Sequence, residues 1–151
     1  MNMIADILPL ANVVADMDAD GKRSLLEQIG ALFEDSTRLP RAKVVDSLLA
    51  REKLGSTAMG QGIAIPHGRI KGLRAAAGAF VRLKKPIPFD APDGLPVTLV
   101  FALLVPEQAN EMHLLILGEL AQLLSDQATR EQLLRLTDVA GIHRLLSCWP
   151  A

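Results

Sequence analysis

The chain has 151 residues, 50% hydrophobic and 22% charged, which fits one globular domain with a sizeable core. Its 16 basic and 17 acidic residues are mixed along the sequence, so there is no basic footprint for nucleic acid and no acidic tail, and a polyanionic partner is disfavoured. Cys148 is the single cysteine, which excludes an intrachain disulfide framework and a thiolate metal cluster; the apolar stretches are too short to span a bilayer and no basic leader opens the chain, so a cytoplasmic setting without membrane insertion is expected.

Lys22 to Asp35 carries Leu25, Leu26, Ile29, Leu32 and Phe33 at helical spacing, and Pro40 to Glu52 carries Val44, Val45, Leu48 and Leu49. Two amphipathic helices are predicted, with Pro40 in the first turn of the second and Gly55 as its stop. From Gly55 to Arg74 glycines are dense and no long period survives, which predicts an ordered loop with short extended pieces at Ala58-Met59 and Ile63 to Ile65. Ala75 to Leu83 and Val97 to Val105 read as strands, the second so continuously apolar that it belongs in the middle of a sheet covered on both faces. Pro86, Pro88, Pro92 and Pro96 punctuate the connection, and Asp93-Gly94 marks a tight turn. A helix from Asn110 to Asp126, with Asn110 as its N-cap, precedes a short helix near Thr129 to Arg135 and a last one from Asp138 to Ser147. Helices before, between and after strands predict a single α/β domain.

Within the glycine-rich stretch, Gly62-Ile63-Ala64-Ile65-Pro66-His67-Gly68-Arg69 places one imidazole beside a guanidinium on what reads as a stiff, narrow turn. Pro66 fixes its own φ and restricts Ile65 to extended conformations, while Gly62 and Gly68 permit backbone shapes or close approaches that a side chain would block. Rigid placement, Arg69 two residues on, and the hydroxyls of Ser56 and Thr57 outline an anion site; the alternative is a histidine that merely fills a turn. Arg51, at the end of a helix just before the loop, either folds over that site or snorkels to solvent, as Glu52 and Lys53 beside it read as ordinary surface residues.

On a helical wheel His113 lies opposite Glu111, Glu119, Gln122 and Asp126, in line with Leu117, Leu120 and Leu124, so it points inward from a first turn that favours an adjacent anion. It is either a second site residue or a satisfied, partly buried histidine. His143, mid-helix beside Leu145 and Leu146, reads as structural. A metal centre is not expected, because His67 and His113 lack a third ligand; nucleophile-elbow, P-loop and complete dinucleotide fingerprints are absent.

The stretch from Arg51 through Gly55-Ser56-Thr57 and Ile65-Pro66-His67-Gly68-Arg69, supported by Pro88-Phe89-Asp90, Phe101 to Pro106 and His113-Leu114, resembles the IIA proteins of the bacterial phosphoenolpyruvate-dependent phosphotransferase system. The resemblance is to the fructose/mannitol class, in its nitrogen-regulatory branch, and covers residues 4–148 as one type-2 IIA domain. Met59 stands where a β-branched residue is often seen. The resemblance implies a mixed sheet of about five strands flanked by helices. It further implies that His67 accepts a phosphoryl group, that His113 sits beside it and that Arg51 approaches the site, with Ser56, Thr57 and Arg69 expected to position the phosphate. The implied donor is a phosphorylated histidine carrier protein of the nitrogen-type or sugar system, with no bound cofactor. A chain with no fused IIB domain after it is expected to regulate targets such as a potassium transporter or sensor kinase. The alternatives are a soluble sugar-transport IIA subunit passing phosphate to a IIB protein, and a pure interaction module.

Overall fold

The computed structural model describes residues 2–108 and 111–150. Its elements follow in the order α1 (Met3–Ile7), β1 (Val13–Met17), α2 (Lys22–Thr37), α3 (Arg41–Lys53), β2 (Ala58–Gly60), β3 (Ile63–Ala64), β4 (His67–Ile70), β5 (Ala77–Ile87), β6 (Val97–Pro106), α4 (Glu111–Ser125), α5 (Gln127–Arg135) and α6 (Val139–Ser147). The strands form one mixed six-stranded sheet in the order β1-β5-β6-β3-β2, with β4 also on β6. β5 and β6 are antiparallel, whereas β1 on β5 and both β3 and β4 on β6 are parallel.

The nearly unbroken apolar run of β6 is central, as its composition predicts. Its side chains alternate between two cores. Val100, Ala102 and Leu104 join Leu25, Leu26, Ile29, Phe33, Val44 and Leu48 under α2 and α3. Leu99, Phe101, Leu103 and Val105 join Ile116, Leu120, Leu124, Leu133, Ile142 and Leu146 under α4, α5 and α6. Each fully buried Leu or Phe here contributes about 1.5–3 kcal/mol relative to exposure, so the double-sided burial of β6 anchors the fold.

Two strands were not legible as strands. β1 is a short edge strand whose ladder shifts register between Val14 and Met17, with Asp16 at φ 58°. β4 replaces the turn expected around His67. Ile63 pairs with Leu99 and His67 with Leu103 in one continuous register, so β3 and β4 are a single line of chain along β6. Pro66, which has no N–H, interrupts the line, yet its carbonyl still accepts the Leu103 N–H at 2.9 Å. Gly68 does not serve a turn: it is buried in the strand where α3 crosses, and a Cβ there would lie 2.3 Å from Ser47 Oγ and 3.3 Å from the Ser47 backbone carbon.

Pro40 stands just before the first turn of α3 as its N-cap, and α3 ends at Lys53 with Leu54 as its C-cap and Gly55 directly after it. Asp126 and Asp138 cap α5 and α6, accepting the N–H of Thr129 and Gly141 with their carboxylates. The Asp126 carboxyl is held below the usual carboxylate range by the Thr129 hydroxyl and then the Thr129 amide. The predicted Asn110 cap lies outside the described residues.

Candidate functional site

α3 brings Ser47, Ala50, Arg51 and Leu54, β4 brings His67, Gly68 and Arg69, β6 brings Leu103 and Val105, and α4 brings His113, Leu114 and Leu117 to a cavity of about 670 Å³. It lies where β4 has only β6 beside it among the described residues, so the cavity opens over an edge of the sheet. Strand alternation explains the arrangement: His67 and Arg69 share one face of β4, while buried Gly68 and Ile70 take the other. Leu54 and Leu114, 84% and 69% exposed, form apolar shoulders at the mouth.

His67 is half-buried, and its Nδ1 lies 2.8 Å from the carbonyl oxygen of Ile65. A carbonyl only accepts, so Nδ1 carries the proton and the neutral ring keeps its lone pair on Nε2. His143 has the opposite arrangement, its Nε2 lying 2.8 Å from the Leu8 carbonyl, which makes it a fastener between α6 and the segment after α1, as its position suggested. His113 is also half-buried and faces the same cavity as His67, in the first turn of α4.

Arg51 donates from Nη1 to the Gly55 carbonyl at 2.8 Å, which pins the guanidinium at the end of its own helix and leaves its other N–H groups for a ligand. Arg51 thus lines the cavity rather than leaving for solvent. Among the described residues, every ionisable side chain in the lining, Arg51, Arg69, His67 and His113, is basic, and no carboxylate joins them. Such a lining suits an anion.

Ser56 and Thr57 lie outside this lining. The Ser56 hydroxyl donates to the Phe89 carbonyl at 2.6 Å and accepts the Ala58 N–H at 3.1 Å. Thr57 is buried, and both its N–H and its hydroxyl are donated to Glu52 Oε1. Their work is to hold the loop. Ser47 and Leu54 replace them in the cavity wall, and the signal that would have found these two is the helical stripe Ser47, Arg51, Leu54 on α3.

Glu52 is not a surface residue. It is only 9% exposed and pairs with Lys22 at 3.0 Å. The positions Val45, Leu48 and Glu52 fall on one helical stripe, so the carboxylate continues an apolar face. Lys22 also lies 3.3 Å from Asp90 and 4.5 Å from the centre of the Phe89 ring, which gives the Pro88-Phe89-Asp90 motif a structural basis. Before His67, the turn Gly60-Gln61-Gly62 runs through φ values of 91°, 57° and 80°, a path that favours glycine at both ends. Asp93 secures it, accepting the Gln61 N–H at 2.7 Å and the Leu95 N–H at 3.1 Å. These two amides, Gln61 first, hold the Asp93 carboxyl below the usual carboxylate range.

The sequence model of one protein family, described as "Phosphoenolpyruvate-dependent sugar phosphotransferase system, EIIA 2", matches residues 6–148. A nitrogen regulatory protein of Bradyrhizobium diazoefficiens is 38% identical over 148 residues, which cover 98% of this chain and 97% of that protein. One from Pseudomonas aeruginosa is 36% identical over 147 residues, covering 97% of this chain and 96% of its own. The crystal structure of nitrogen regulatory protein IIA-Ntr from Neisseria meningitidis is similar with a TM-score of 0.92 and 47% identity, over 96% of this chain and 99% of that one.

Proposed function

The chain belongs to the EIIA 2 family of the phosphoenolpyruvate-dependent sugar phosphotransferase system, and from that premise we propose that His67 accepts a phosphoryl group on Nε2 from a phosphorylated histidine carrier protein. The observation that carries this reading is the bond between His67 Nδ1 and the Ile65 carbonyl, which leaves Nε2 as the nucleophilic nitrogen at a cavity lined, among the described residues, by basic groups and no carboxylate.

In the transfer, the Nε2 lone pair attacks the phosphorus of the donor phosphohistidine as the donor's P–N bond breaks, and that electron pair returns to the donor imidazole. The proton on Nδ1 stays in place. Positive character that builds on the His67 ring is offset by the Ile65 carbonyl oxygen, and charge on the three equatorial phosphoryl oxygens by Arg51, Arg69 and His113. Positioning and electrostatics suffice for this chemistry, since one high-energy P–N bond, in the donor, is exchanged for another, on His67.

The phosphoryl group adds about −1.5 to −2 charges at the cavity mouth, by analogy with other phosphorylated side chains. Regulation of target proteins follows by contact with that mouth, an acidic partner surface losing affinity and a basic one gaining it. The near full-length relatives named as nitrogen regulatory proteins support this regulatory reading over sugar transport. The test is intact mass after incubation with phosphoenolpyruvate, the first enzyme of the cascade and its histidine carrier protein. Wild type gains one acid-labile phosphoryl group and His67→Ala gains none. Stoichiometric phosphate on His67→Ala removes the assignment.

A further inference from the structure

Glu52 is buried and is not among the described residues that line the cavity. Both of its oxygens are nevertheless used. Oε2 meets Lys22 Nζ at 3.0 Å, and Oε1 accepts the Thr57 N–H at 3.0 Å together with the Thr57 hydroxyl. From Thr57 the connection continues without a gap: the Thr57 carbonyl accepts the Ile65 N–H at 3.1 Å, and the Ile65 carbonyl accepts the His67 Nδ1–H at 2.8 Å.

We infer that Glu52 is a positioning residue for His67: acting through Thr57 and Ile65, it aims the one carbonyl that selects the Nδ1–H tautomer and keeps the Nε2 lone pair turned to the cavity. The consequence for rate rests on His67 being the phosphoryl acceptor, whereas the tautomer can be read without any phosphate. Ile65 is constrained at both ends. Pro66 restricts it to extended conformations from one side, and the bond from its N–H to Thr57 sets its position from the other. Thr57 in turn is held by two donated bonds to one carboxylate oxygen, a pairing that a neutral acceptor matches but an alkyl side chain does not. Lys22 makes burial of that carboxylate tolerable by pairing its charge, and the same ammonium ties in Asp90 and Phe89. A carboxylate placed only to hold helices together would not need its far end to lead, bond by bond, to the imidazole.

Long-range proton–nitrogen correlation spectra of ¹⁵N-labelled, unphosphorylated protein, recorded where the rings are neutral, report the tautomer of each histidine. His143, bonded through Nε2 to Leu8, supplies the opposite tautomer as an internal reference. Wild-type His67 is expected as Nδ1–H. Thr57→Val, which keeps shape and backbone but removes the hydroxyl donor, and Glu52→Ala are expected to move His67 toward a mixture, with His143 unchanged. Thr57→Ser and Glu52→Gln, whose oxygens preserve the bonds, are expected to stay near wild type. The maximal transfer rate at saturating donor should fall with the lost Nδ1–H fraction, by about threefold to tenfold, with little change in the donor concentration needed for half-saturation. An unchanged His67 tautomer in folded Glu52→Ala and Thr57→Val overturns the inference and leaves Glu52 as a structural latch. If wild type takes no phosphate while the tautomer still responds to Thr57→Val, the positioning chain stands and the phosphocarrier reading falls.

Discussion

Ser47 on α3 and Gly68 on β4 approach so closely that any side chain on Gly68 would start 2.3 Å from the Ser47 hydroxyl oxygen. The contact seats the helix that carries Arg51 against the strand that carries His67, and Ser47 completes it by donating to the Arg69 carbonyl at 2.9 Å. Gly68→Ala would force the hydroxyl to turn away and the backbone to give. A loss of about 1–3 kcal/mol is expected in urea denaturation. Adding Ser47→Ala should recover part of that loss, because it removes the nearest clash; a double variant no more stable than the single one would show that the backbone contact dominates.

Loss of His113 should slow transfer without abolishing it. It stands in the first turn of α4 and in the same cavity as His67, and in the proposed transfer it orients and compensates charge rather than forming a bond to phosphorus. His113→Gln and His113→Ala should still reach one phosphate per chain, at a rate lower by about 10-fold or more, equivalent to one positioned hydrogen bond of roughly 1–3 kcal/mol. Rapid-quench measurement of the first turnover distinguishes this from a purely structural histidine, which would leave the rate at the wild-type level.

Ser56→Ala should affect stability rather than chemistry. The variant leaves the Phe89 carbonyl and the Ala58 N–H without their partner, so stability should drop by about 1–3 kcal/mol. Phosphoryl transfer by the folded variant should remain within about twofold of wild type. A large rate defect with unchanged stability would place the hydroxyl in the phosphate path after all.

Acid should loosen the Gly60-Gln61-Gly62 turn in a defined direction. Asp93 has a lower carboxyl pKa in the folded chain than in the unfolded one, because the Gln61 and Leu95 amides bond its ionised form. Its stabilising contribution is therefore complete above the usual carboxylate range and is lost as pH falls through the lower folded value. The Gln61 and Leu95 amide resonances should titrate together as pH falls below the usual carboxylate range. Asp93→Asn, which keeps an acceptor but no titrating group, should abolish that shared transition while other acid-induced changes persist.

The parts of the molecule that the sequence makes legible are those whose shape is decided locally. Leu25, Leu26, Ile29 and Phe33 repeat at helical spacing and are all buried on one face of α2, and the apolar run of β6 has the two covered faces it calls for. His67 stands out by its Pro- and Gly-flanked setting, whereas Arg51 and His113 join it only through the resemblance to the IIA proteins, and the fold gathers all three around one cavity.

What escapes such reading depends on distant residues. His67-Gly68-Arg69-Ile70 lacks strand composition and becomes β4 only because Leu103 to Pro106 offer a ladder. The Ser56 and Thr57 hydroxyls look available in sequence, yet Phe89 and Glu52 claim them across the tertiary structure. Glu52 itself reads as solvated beside Arg51 and Lys53 until Lys22, thirty positions earlier, is seen to neutralise it. β1 is missed for a simpler reason: with five residues and a register shift, it carries little pattern of its own.

The irregularity of that strand has a use at the opposite end of the molecule's life, when many copies meet in solution. A sheet whose margins are long and straight templates the addition of a neighbour's strand. Here one margin is β1, broken by Asp16 in a left-handed conformation, and the other is divided between the three residues of β2 and the four of β4, with Pro66 set between the two lengths of chain along β6. His67 therefore lies on a strand whose outer edge has no partner strand among the described residues, on a margin too short and too interrupted to recruit its own kind into an extended sheet.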